Sequence, residues 1–212
     1  MIVYSKSKRD FVRDVRANRI DEEILLSFQR ALRHRPSPRE IDSWRNSMQF
    51  MANSVDQPAL PDDAGVAIEF TIPLTSRRVD FILTGRTADR REVAVIVELK
   101  QWSTVTATGL DAIVKTHIGG RELETLHPSY QAWTYAALIR DYNKTVRGDA
   151  IELKPCAYLH NLTDAAAVND AHYAEHLERA PAFLKGDSER FAEFLDRTVR
   201  YGDHDRLMYR IE

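Results

Sequence analysis

The chain has 212 residues, 43% apolar and 29% charged, which is ordinary for a globular protein and enough for one large domain with a real core. Its 30 lysines and arginines against 32 aspartates and glutamates leave a formal charge of −2, so any nucleic-acid binding must come from local patches rather than overall charge. One cysteine, Cys156, excludes an internal disulfide, and no apolar run approaches the ~20 residues of a membrane span.

The first third reads helical. No signal peptide precedes the charged start Met1-Ile-Val-Tyr-Ser-Lys-Ser-Lys-Arg9, so a cytoplasmic protein is expected. Ser7 is placed to cap a helix running to about Asn18. Asp21 is expected to cap the next, with Ile24, Leu25, Phe28 and Leu32 as its apolar stripe. Ser37, Pro38 and Glu40 form a capping box before the stripe Ile41, Trp44, Met48 and Met51. Pro58, Pro61, Asp62 and Asp63 then break the helical pattern.

The middle of the chain changes period. Strands are expected at 66–73, 78–84 and 92–100, the first two joined by a hairpin turn at Thr75-Ser76-Arg77. The run Val93-Ala-Val-Ile-Val97 is apolar without alternation, as in a strand covered on both faces. Residues 103–127 read as irregular, with Gly119-Gly120 as a flexible spacer. Pro128 opens a buried helix to about Tyr142, and a fourth strand follows at 151–159, where Cys156 sits as a buried thiol. Helices are expected near 170–180 and 188–200. Arg206-Leu-Met-Tyr-Arg-Ile-Glu212 reads as the start of a strand cut short, the mark of a longer protein.

Chemistry concentrates at a few of these positions. Strand parity points Glu98 and Lys100 the same way, and helical spacing puts Gln131 and Tyr135 on one face. If Asp80 lies on the strand beside Glu98, two carboxylates and an ammonium converge at one edge of a small sheet. Hard oxygen ligands of this kind suit Mg2+, which keeps several waters and needs few carboxylates. Asp80 and Glu98 fit as ligands, and the carbonyl of Leu99 is placed to add a third oxygen. Lys100 can orient an attacking water or stabilise transition-state charge, with Gln131 and Tyr135 holding it in place. Any one of these motifs alone is commonplace. Their order, with each charged motif at the end of an apolar strand, is what raises them above chance.

Helix, three strands, helix and strand, with Asp80, Glu98-x-Lys100 and then Gln131-x-x-x-Tyr135, resembles the PD-(D/E)XK nuclease superfamily over residues 37–160. The Gln/Tyr pair is similar to its RecB-like branch. Val79 stands where proline often precedes the acid. The runs around Glu69, Asp80, Glu98 and Gln131 also resemble a bacterial nuclease-like domain that commonly precedes a Schlafen-related P-loop ATPase or helicase domain. The resemblance implies an α/β (α+β) restriction-endonuclease-like core, a mixed sheet of about four strands flanked by helices. Residues 1–36 would be an N-terminal helical extension and 161–212 a C-terminal one. It implies a Mg2+- or Mn2+-dependent enzyme that cuts DNA, with Asp80 and Glu98 as metal ligands and Lys100 as the catalytic cation. It also implies an upstream acid, for which Glu69 is the first candidate and Glu22, Glu23 and Glu40 the others. No G-x-x-x-x-G-K-[ST] occurs, so a motor domain would lie in a longer chain.

Arg77, Arg78, Lys115, His117 and Arg121 flank the expected site and are candidates for gripping phosphates. Trp102 is placed to stack on a base, although packing is the commoner use of such a residue. His172 and His176 have zinc-like spacing, but no third ligand accompanies them, so they read as surface histidines. A competing reading is a nucleic-acid-binding or protein-docking module that keeps the fold without turnover.

Overall fold

The computed structural model describes residues 1–32, 36–204 and 206–212, and the side chains of Ala31 and Leu32 lie outside the described residues. Chain order starts with a strand, β1 (Ile2–Ser7), where helix was expected. Ser7 then caps α1 (Lys8–Arg16), its hydroxyl accepting the amide of Asp10. In α2 (Ile20–Leu32) Asp21 lies inside the first turn and not at the cap; its carboxylate accepts from Arg45 at 2.6 Å. α3 (Pro38–Val55) carries the complete capping box of Ser37 and Glu40.

The strands β2 (Gly65–Thr71), β3 (Arg78–Arg86) and β4 (Glu92–Lys100) pair antiparallel in succession, and β1 adds antiparallel to β2 with Tyr4 opposite Ile68. β1 was invisible in the sequence because an edge strand takes its ladder from a partner, here β2, whose residues lie far along the chain, Tyr4 pairing with Ile68.

The segment expected to be irregular is ordered. β5 (Val105–Ala107), β6 (Ile113–Ile118) and β7 (Arg121–Leu126) form a separate three-stranded antiparallel sheet. Gly119 and Gly120, with φ of 63° and 80°, make the two-residue turn between β6 and β7. A glycine pair between two strand-like runs is itself a hairpin signal, so this correction was available from the sequence.

α4 (Pro128–Tyr142) has the expected bounds, and α5 (Lys144–Gly148) leads into β8 (Glu152–Leu159), which lies parallel to β4. α6 (Ala174–Arg179), the unexpected short strand β9 (Ala182–Leu184) and α7 (Ser188–Thr198) follow. The final residues form a helix, α8 (Leu207–Ile211), and not the start of a strand. Leu207, Met208 and Ile211, at helical spacing, are all buried in the core.

The result is a six-stranded mixed sheet in the order β1-β2-β3-β4-β8-β9, wider than the four strands expected, in an α+β arrangement. Strands from all three sequence segments, 1–36, 37–160 and 161–212, enter this one sheet. One face packs against α1, α2, α3 and α7 through Phe11, Phe28, Met48, Met51 and Phe191. The other packs against α4 and α8 through Tyr135, Ala136, Ile139 and Met208. Among the described residues no helix is long and apolar enough to cross a membrane.

One irregularity in the sheet bears on function. Glu69 has a φ of 58°, in the left-handed region that residues with a β-carbon avoid. The ladder register continues on either side, with Ile68 opposite Phe81 and Phe70 opposite Val79. Regular alternation would put Ile68 and Phe70 on one face, yet they pack in opposite cores, as do Val79 and Phe81. The sheet therefore changes face across the row occupied by Glu69 and Asp80, and acids stand at the change.

Candidate active site

Asp80 lies near the start of β3 and Glu98 near the end of β4, which is the same end of the sheet because the strands are antiparallel. Phe81 is opposite Val97, so the register carries Asp80 beside Glu98. The Leu99 amide donates to Asp80 Oδ2 at 2.8 Å, which fixes that carboxylate against the strand end. Leu99 thus meets Asp80 through its N–H.

Glu98 and Lys100 share a face, as strand parity requires, and α4 closes over them. Lys100 Nζ donates to Glu98 Oε1 at 2.6 Å and to Gln131 Oε1 at 3.1 Å. Gln131 Nε2 donates to Glu98 Oε1 at 2.7 Å and to the Tyr135 hydroxyl at 2.9 Å. The four expected residues Glu98, Lys100, Gln131 and Tyr135 form one hydrogen-bonded network, with Asp80 beside it. Gln101 ties the strand end to α3 by donating to the Ser43 carbonyl and to the Ser43 and Ser47 hydroxyls.

The charges here do not balance. Glu98 is buried at 3% exposure, and its Oε2 is buried with no hydrogen-bond partner. Burial, and then the neighbouring charge of Asp80, push the Glu98 carboxyl up to about 8. Burial also raises Asp80, against the pull of Lys100 and the Leu99 amide. Burial alone would favour the neutral amine of Lys100, but Glu98 and Asp80 outweigh it and hold the ammonium above its usual value. Tyr135 is raised by burial and by Glu98, so it stays a neutral phenol.

Glu69, the candidate upstream acid, adjoins this cluster through a second network. Its Oε1 accepts from the Trp44 indole at 2.7 Å, and its Oε2 lies 3.0 Å from the Arg78 guanidinium. Burial and the charge of Asp80 raise it to about 7. Arg78 also bonds Glu40 at 2.8 Å, so both of these acids converge on one arginine. Arg78 is thereby engaged inside the fold, whereas Arg77 and Arg121 are exposed and Lys115 reaches Glu124 at 3.7 Å. Glu23 pairs with Lys6, away from the cluster. Trp44 was read from sequence as apolar stripe alone. A buried indole N–H needs an acceptor, and that was the signal for its partnership with Glu69.

Among the described residues no group of three or more His, Cys, Asp and Glu is arranged to hold a metal ion. The donor set is smaller: the carboxylates of Asp80 and Glu98, which interact side chain to side chain, with no N–H or O–H of a neighbour meeting the buried Glu98 Oε2. That set fits a hard cation which keeps most of its water shell, and it does not fit one that needs a full protein cage.

Other clefts lie away from this cluster. A groove of about 630 Å³ between α3 and α7 is lined by Phe50, Tyr158, Lys185 and Glu193. It contains no convergent network of buried ionisable groups, so the carboxylate cluster is the better candidate. His172 is exposed, but His176, also expected at the surface, is buried and bonds Asp111 at 2.9 Å. Trp102 lies with its ring 5.2 Å from Lys100 Nζ and is half-buried. Cys156 is fully buried, and burial raises its thiol far above the usual range.

Searches against protein-family models, curated proteins and solved structures return no match to this chain.

Proposed function

We propose that this chain is a metal-dependent nuclease of the PD-(D/E)XK type with a restriction-endonuclease-like core, acting on DNA. The observation that carries the reading is the buried cluster at the end of β4. Two carboxylates face one ammonium, and Glu98 keeps an unpartnered oxygen inside a polar network. A buried carboxylate oxygen left without a donor costs on the order of 1–3 kcal/mol or more, a cost that a bound cation removes.

Asp80 and Glu98 would hold Mg2+ or Mn2+, and the Leu99 carbonyl and Glu69 are the further oxygens this reading considers. The ion, when bound, supplies charge neutralisation on the phosphate and a coordinated water of lowered pKa. The chain's own residues do the rest. Lys100, kept charged by its acidic neighbours, presents an ammonium where negative charge builds on the phosphate oxygens. Gln131 holds Lys100 by its carbonyl while its amide holds Glu98, and so sets the distance between cation and ligand. Tyr135 fixes the Gln131 amide in turn.

A nuclease module joined to a Schlafen-related P-loop ATPase or helicase domain in a longer protein remains part of this proposal. It rests on the motifs around Glu69, Asp80, Glu98 and Gln131. The second reading, a docking module without turnover, draws on the engagement of Lys100 by both Glu98 and Gln131, which leaves the network partly self-satisfied. Incubation with linear, circular and single-stranded DNA in Mg2+, Mn2+, Ca2+ or EDTA separates the two. The nuclease reading expects cutting in Mg2+ or Mn2+ and none in Ca2+ or EDTA. DNA left intact in all four conditions favours the docking module.

A further inference from the structure

The six-stranded sheet is left open along part of one strand. β8 pairs with β4 over its whole length, from Glu152 opposite Val93 to Leu159 opposite Lys100. On its other side β9 covers only Ala157, Tyr158 and Leu159. The Ala157 amide points that way, donating to the Pro181 carbonyl at 3.0 Å. Main-chain groups of alternate residues in a strand point to the same side, so the Leu153 amide and carbonyl and the Pro155 carbonyl face the open edge. Pro155, which has no amide to give, stands where the ladder to β4 does not need one. Among the described residues no strand pairs with β8 at this edge.

A groove of about 510 Å³ lies beside this edge, at the start of β4 and not at the end that carries Glu98. Glu152 and Lys154 have the parity of Cys156 and Tyr158, which pack on the side of α7, and so they turn into the groove. Phe183 and Phe194, with rings 5.3 Å apart, supply its apolar surface. The cations Arg91, Lys154, Arg190 and Arg197 line it and outnumber the acids Glu152 and Glu193, although the chain as a whole stands at −2. Each of these cations is at least 46% exposed, so its ion pairs with the protein's own acids are weak and exchange readily for a ligand's carboxylates.

We propose that this groove docks an extended acidic segment of a partner protein, which adds to the open edge of β8 as a further strand. Leu153 and Pro155 supply the main-chain partners that orient it. Alternate side chains of the added strand share the face toward α7, so the fitting pattern is an apolar residue with an acid two positions before it and another two positions after. The apolar side chain meets Phe183 and Phe194, and the acids meet the cations on either side. A helix can meet the cations but not the edge, because its own amides and carbonyls are spent within it. Docking here is separate from the candidate active site and does not depend on the nuclease reading.

An NMR titration in EDTA with the end-blocked peptide Thr-Glu-Thr-Val-Thr-Glu-Thr tests the docking. At low salt its Kd should be on the order of 10–100 µM, as suits a small interface, with the Leu153 amide among the most shifted. The same peptide with lysine for both glutamates should bind at least about tenfold more weakly. Arg190→Ala combined with Arg197→Ala, both exposed on α7, should lose about tenfold of affinity and flatten its dependence on salt. N-methylating one alternate set of peptide amides should abolish binding, and methylating the other set should leave it, because only one set faces β8. No shift at ~1 mM peptide overturns the proposal. So does equal binding by both methylated peptides, which would reduce the groove to a charged patch. A short DNA oligonucleotide that shifts the same amides at lower concentration than the peptide also overturns it, and gives the groove to phosphates instead. Cutting of DNA, present or absent, bears on the nuclease reading alone.

Discussion

The two ends of β4 carry the same kinds of charge and put them to different uses. At its start, Glu92 meets Arg210, and Arg91 lies 3.5 Å from Glu152, which Lys154 also bonds. Arg210 is 40% exposed and Arg91 62%, so water screens these pairs, and the three acids Glu92, Asp149 and Glu152 are matched by the three cations Arg210, Arg91 and Lys154. At its end, Glu98 is buried and Lys100 nearly so. Four acids, Glu40, Glu69, Asp80 and Glu98, gather there around two cations, Arg78 and Lys100. A balanced, wet ion pair is what a surface strand end needs. An unbalanced, buried cluster is a cost that folding alone does not explain, and a bound cation or a bound proton relieves it.

The strongest test of that contrast is Lys100→Ala. Loss of a cation aimed at the transition state should lower the cutting rate about 10²- to 10³-fold while leaving DNA affinity in EDTA unchanged. Wild-type cutting by this variant would place the activity elsewhere and favour the docking module.

Next in size is Arg78→Ala. It strands Glu69 and Glu40 with no cation between them, and should lower unfolding stability by about 3 kcal/mol in a denaturant titration. A loss too small to resolve would mean that water already reaches this network.

The acids themselves predict a pH dependence. Glu98 rises to about 8 and Glu69 to about 7 in the folded chain, both above the ordinary carboxylate value of 4.5. The folded state therefore holds protons that the unfolded state has released. Stability without metal is fully present below the unfolded value and falls as pH rises through about 7 to 8. Between pH 6 and pH 8 in EDTA the loss should be on the order of 3–4 kcal/mol, the larger part from Glu98. Glu98→Gln, which mimics the protonated form, should flatten that slope, leaving only the part due to Glu69. Stability that climbs with pH over this interval contradicts the arrangement.

The smallest effect belongs to the other end of the strand. Arg210→Ala should cost no more than about 0.5–1 kcal/mol, less still in high salt, and leave cutting untouched. A cost equal to that of Arg78→Ala would erase the distinction between the two ends.

Local signals were legible where the responsible contacts are local. Ser7 and the Ser37–Glu40 box cap their helices through amides three residues away. The bounds of β4 and α4 follow from an uninterrupted apolar run and from a proline at the first helical turn. The hairpin at Gly119-Gly120 was legible too and was read past. β1 and β9 were not legible, because each takes its ladder from a strand distant in sequence, and short strands have no periodicity of their own to read. α8 was misread because five residues are too few to distinguish a helical stripe from alternation.

By itself the sequence determined which residues share a face. Glu98 with Lys100, and Gln131 with Tyr135, follow from the two-residue period of a strand and the 3.6-residue turn of a helix, which hold wherever those elements form. It left the adjacency of Asp80 and Glu98 as a condition, which the antiparallel pairing of β3 with β4 meets. Tertiary structure alone decided how those faces meet. Gln131 bridges Lys100 and Glu98 because α4 crosses the sheet at that point, which no spacing along the chain encodes. Glu69 turns toward Trp44 and Arg78 because the backbone enters the left-handed region there, a conformation sustained by packing on both sides of the sheet rather than by glutamate's own preference. The imbalance of charge follows from the same cause. Acids from β2, β3, β4 and α3 are far apart in sequence, and only burial in one corner of the fold makes their repulsion count.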